Sequence, residues 1–179
     1  MPQGACFAIS DQDDFWYPDK LDSSIAFLCQ KNVSLVHCDA RVVGEDGSET
    51  RRSFASLSAR SDQVANFLRS LGVARGDRVL LMLGNELALW ELMLACIKLG
   101  AVMIPATMLL TPDDLKDRLD RGGVKHVVAA SEQAPKFADL PGRYTRISVG
   151  PPVPGWRRFE DSAGAAPQEF LDHVGMPLR

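Results

Sequence analysis

The 179-residue chain is 46% hydrophobic and 24% charged, proportions that suit a globular protein with an apolar core. A formal net charge of -3, with Lys and Arg clustered no further than pairs such as Arg51-Arg52 and Arg157-Arg158, excludes the basic footprint of a nucleic-acid binder. The first ten residues lack both a charged start and a long apolar stretch, so no signal peptide is expected. Cys6, Cys29, Cys38 and Cys96 form no CxxC pair and are not spaced with the histidines as metal ligands. Free thiols in a reducing cytoplasm follow as the expectation.

In chain order, Ala5 to Ile9 is a short apolar run that reads as a strand. It leads into Ser10-Asp11-Gln12-Asp13-Asp14-Phe15-Trp16-Tyr17-Pro18-Asp19-Lys20-Leu21. Three carboxylates at one strand end repel one another, and a divalent cation such as Mg²⁺ or Mn²⁺ relieves that cost through hard oxygen ligands. A solvated acidic turn ahead of a helix is the plainer alternative. A helix over Lys20 to Gln30 and a strand over Val33 to Cys38 follow. The stretch from Gly44 to Arg52 is polar and turn-rich and reads as a seam between two parts of the chain.

Beyond the seam, Leu57, Val64, Phe67, Leu68 and Leu71 fall on one face of a helix running from Ser53 to Leu71. Gly72 suits the residue past its end. Arg78 to Leu83 carries an unbroken apolar run, the pattern of a strand buried on both faces of a parallel sheet. Glu86 to Leu99 is a helix with little polar face, which predicts a helix sandwiched inside the protein or against another domain. The apolar run from Met93 to Leu110 is long enough to resemble a membrane span, but Gly100 and Pro105 divide it into a helix end and a second buried strand, Ala101 to Ile104. Thr111-Pro112-Asp113-Asp114 is a helix start: a capping hydroxyl, a first-turn proline and two acids at the positive helix end. That helix reaches Arg121 and stops at Gly122-Gly123. Val124 to Ala129 reads as a third strand and Arg146 to Val149 as a fourth. From Gly150 onward the chain reads as loop, with one short helix near Trp156 to Ser162. Strands joined by helices run parallel, so the expected fold is an open, incomplete α/β layer with mainly parallel strands and helical crossovers.

Three segments also carry a resemblance. Ser53-Phe54-Ala55-Ser56-Leu57-Ser58, with Val64 to Leu68, is similar to the opening helix of AMP-forming synthetases. Gly72-Val73-Ala74-Arg75-Gly76-Asp77-Arg78-Val79 resembles that family's turn into a strand, and Ile97 to Pro105 resembles its "KLGAV..P" segment. Residues 53 to about 160 therefore resemble the front part of an adenylate-forming acyl-CoA synthetase, nearest the medium-chain or aryl type. The resemblance implies ATP with Mg²⁺ and CoA for the full-length ligase. The Ser/Thr/Gly loop with a lysine that holds ATP phosphates is absent from these residues, as is the C-terminal lid. No catalytic or cofactor-binding residue is assigned here, ligase activity is not expected, and Asp77 and Lys98 read as a turn aspartate and an exposed helix-end lysine. An ATP-binding region or an oligomer partner covering exposed apolar surface is the expected companion.

Residues 5 to 50 resemble a family 2 glycosyltransferase of the GT-A type. That resemblance implies Asp11 and Asp13, with Asp14 beside them, as ligands for Mn²⁺ or Mg²⁺ on a nucleotide sugar. A joined pair of enzyme fragments, 1–50 and 51–179, is the organisation these resemblances imply. A non-enzymatic interaction module that reuses the α/β layer, or a fused reading frame, is the remaining alternative.

Overall fold

A computed structural model describes residues 18–31, 40–43 and 49–165. The chain divides into two compact units, Met1–Arg52 and Ser53–Arg179. The expected strands Ala5 to Ile9 and Val33 to Cys38, and the acidic stretch between Ser10 and Asp14, lie outside the described residues.

In the first unit, helix α1 spans Lys20–Lys31, as its sequence predicts. Strand β1 (Ala40–Val43) pairs antiparallel with β2 (Glu49–Arg52), Ala40 opposite Arg52 and Val43 opposite Glu49. The turn-rich seam is thus partly a strand, a correction to the sequence reading. Thr50 is the β-branched exception in an otherwise polar strand, and polar composition concealed it.

The second unit is built on a five-stranded, wholly parallel sheet of order β4-β3-β5-β6-β7. Helix α2 (Phe54–Ser70) starts at Ser53, whose hydroxyl accepts from the Ser56 N–H. Strand β3 (Arg78–Met82) follows, then helix α3 (Leu87–Leu99), strand β4 (Val102–Pro105), helix α4 (Pro112–Gly122) and strand β5 (His126–Ala130). A 3₁₀ helix over Ser131–Phe137 precedes β6 (Thr145–Val149). The two-residue β7 (Arg157–Arg158) runs into a second 3₁₀ helix, Phe159–Gly164.

The strand alternation sorts the core into two layers. Val79 and Leu81 face one side, packing with Val64, Leu68, Leu92 and Cys96 of α2 and α3. Leu80 and Met82 face the other, with Leu115 and Leu119 of α4 and Phe137. Both layers meet at β3 and β5, whose apolar side chains are fully buried, which is why these strands read as continuous apolar runs. Helix α3 ends at Gly100, φ 67°, a left-handed residue that lets the chain reverse directly into β4.

One expectation needs correction. The strand predicted as buried from Ala101 to Ile104 is the sheet's edge: Val102 is 49% exposed, and Pro105 belongs to the strand. A proline lacks the N–H that an inner strand must donate, so an edge position tolerates it. Its carbonyl accepts from Arg118 Nη1 at 3.1 Å, which further closes the edge to pairing. Among the described residues, helix α3 is covered on one side. Leu92, Ala95 and Leu99 are buried, whereas Trp90 and Ile97 are 52% and 58% exposed.

The α4 start is a complete capping box. Thr111 Oγ1 accepts from the Asp114 N–H at 3.3 Å, and Asp114 Oδ2 accepts from the Thr111 N–H at 3.0 Å. Thr111→Ala removes the hydroxyl's half of the box and leaves the Asp114 N–H unpaired, while the Thr111 backbone N–H bond to Asp114 remains. Urea denaturation should show a loss of about 1 kcal/mol with an unchanged slope.

Candidate functional site

In open α/β sheets ligands gather at the carboxyl ends of the strands, where the strand order reverses. Here the chain passes from β3 outward to β4, then returns across to β5, so the reversal lies beside β3. The segments that flank it are the loop Gly84-Asn85-Glu86 after β3 and Ser131-Glu132, which opens the 3₁₀ helix after β5. Both carry carboxylates, and Glu160 of the last 3₁₀ helix adds a third. Burial raises the Glu86 carboxyl above its ordinary value, and repulsion from Glu132 and Glu160 raises it further. Glu160 Oε1 accepts from the Gly150 N–H at 2.8 Å, which ties the loop after β6 to that helix. The Asn85 amide oxygen accepts from Trp90 Nε1 at 3.2 Å. A carboxylate-lined edge disfavours phosphate, whose charge it would repel.

A cavity of about 340 Å³ opens nearby among α2, α3 and the last 3₁₀ helix, lined in part by Arg60, Leu87, Glu91 and Phe159. Arg60 is its cation, and its bonds are already made. Nε lies 3.1 Å from Glu91, Nη2 donates to Ser162 Oγ at 2.5 Å, and the guanidinium sits 5.5 Å from the Phe159 ring centre. Such a side chain ties three elements together and offers little to an incoming anion.

The opposite, amino edge holds the other charged cluster. Asp77, just before β3, is buried. Its Oδ1 lies 2.5 Å from Lys125 Nζ, while Oδ2 accepts from the Ala74 N–H at 3.0 Å and lies 3.5 Å from His126 Nε2. The Lys125 bond holds the Asp77 carboxyl below its ordinary value of 3.8; burial opposes this, and Ala74 and His126 reinforce it. Asp77 is therefore the link between β3 and β5, more than the turn residue its sequence suggested. The signal lay in Lys125-His126 at the head of an apolar strand, but only the register of β3 on β5 brings it to Asp77. Lys98 is likewise corrected: it is half-buried, donating to Asp62 Oδ1 at 2.7 Å and to the Ser58 carbonyl at 2.8 Å.

Asp11, Asp13 and Asp14 lie outside the described residues. Among the described residues, no group of three or more His, Cys, Asp or Glu is placed to hold a metal ion. Cys96 is a free, buried thiol pushed up to about 12 by burial, which makes it inert. No helix among the described residues is long and apolar enough to cross a membrane.

Residues 31–171 match the AMP-binding enzyme family. The chain belongs to that family. Its range takes in the β1–β2 hairpin as well as the parallel sheet, so it reaches back into the residues whose sequence resembled a glycosyltransferase. Mouse mitochondrial acyl-coenzyme A synthetase ACSM5 is 35% identical over 133 residues, 71% of this chain and 23% of the mouse protein. A Mycobacterium tuberculosis fatty acyl CoA synthetase structure superposes with TM-score 0.59 at 28% identity, over 72% of this chain and 26% of that one. A Brucella canis acyl-CoA synthetase shares the fold, with TM-score 0.69 at 24% identity over 77% and 27% of the two chains. The chain thus spans about a quarter of the length of the relatives it matches.

The two edges predict opposite pH behaviour. Asp77 has a lowered carboxyl, so its stabilisation is present above pH 4 and is lost as pH falls through the folded value. Asp77→Asn should cost about 1–3 kcal/mol at pH 7, a deficit that shrinks toward pH 3. Glu86 has a raised carboxyl, so its ionised form opposes folding. Glu86→Gln should stabilise slightly at pH 7, by roughly 0.5 kcal/mol or less, and be neutral near pH 4. Thermal unfolding across pH 3–7 reads both signs.

Proposed function

We propose that this chain supplies the N-terminal scaffold of an AMP-forming carboxylate–CoA ligase, and that these 179 residues do not by themselves activate a carboxylate. The observation that carries the first part is the family match over residues 31–171. The sequence details around Gly84-Asn85-Glu86 and Trp90-Glu91-Leu92 favour a medium-chain or aromatic acid as the substrate of the full-length ligase, with ATP, Mg²⁺ and CoA.

The second part rests on chemistry. Forming an acyl adenylate requires preorganised donors around the ATP phosphates as charge shifts among them. Two candidate donors in the described residues are already engaged. Thr111 Oγ1 donates to Asp114 at 2.6 Å, and Asp113 and Asp114 occupy the positive end of α4. Lys136 Nζ donates to the Met108 carbonyl at 2.6 Å. The carboxyl edge of the sheet presents Glu86 and Glu132 where an anion would have to sit. These residues do not fit an ATP phosphate site, and no chemical step is assigned to them. Their role is to hold a sheet and its loops in a fixed frame for a catalytic region elsewhere in a ligase fold.

Purified chain, incubated with ATP, labelled pyrophosphate and medium-chain or aromatic carboxylates, should show no carboxylate-dependent exchange of label into ATP. Exchange that survives repurification and exceeds the carboxylate-free control would contradict the scaffold reading.

A further inference from the structure

We draw no further inference here: the strongest candidate, the cavity of about 340 Å³ among α2, α3 and the last 3₁₀ helix with Glu160 in its wall, belongs to the site already described, and nothing among the described residues shows what occupies or covers it.

Discussion

The burial of β3 on both faces is the constraint on which the second unit depends. A strand in that position must be apolar at every residue, and Val79-Leu80-Leu81-Met82 meets the requirement. Its odd residues hold α2 and α3, and its even residues hold α4, so one five-residue strand joins both core layers. Fully burying side chains of this size contributes about 1.5–3 kcal/mol each, and a truncation here would open both layers at once. Asp77, one residue earlier, extends the same link electrostatically by holding Lys125 and His126 at the head of β5.

The charge distribution across the sheet also decides what the unit is suited to do. At the amino edge a buried carboxylate is met by cations and an N–H, so its charge is compensated and serves cohesion. At the carboxyl edge, where ligands bind in related architectures, Glu86, Glu132 and Glu160 approach one another with far less compensation. An arrangement of that sign repels phosphate and costs the fold some stability while Glu86 is ionised. Arg60, the cation nearest the cavity, is spent on Glu91, Ser162 and Phe159. Both edges and the cavity are the features from which the scaffold role is proposed.

The sequence made the second unit's helices and inner strands legible because their signals are local. The Ser53 and Thr111 caps, the Gly100 stop and the apolar run of β3 each act within a few residues. What was not legible depends on neighbours distant in sequence. Ala101 to Ile104 looks as apolar as β3, and only the strand order makes β4 an edge. The two-residue β7 follows from the register of Ile147 on Arg157, which carries no periodicity of its own. The three glutamates of the carboxyl edge come from one loop and two separate 3₁₀ helices, and nothing in their spacing announces that they meet. The β1–β2 hairpin was hidden in a different way: polar, turn-rich residues read as a seam, although Ala40 to Val43 supplied half of the pair.

Native-state hydrogen exchange measures most directly whether the unit is organised around β3. With both core layers meeting at that strand, the amides of Leu80 and Leu81, and of Val127 and Val128 beside them, should exchange only through global unfolding, with one shared denaturant dependence. The amides of β4 should exchange sooner, as expected of an edge. Exchange of the β3 amides by local opening, at a free energy well below that of global unfolding or no higher than that of Met103, would contradict the central place given to this strand.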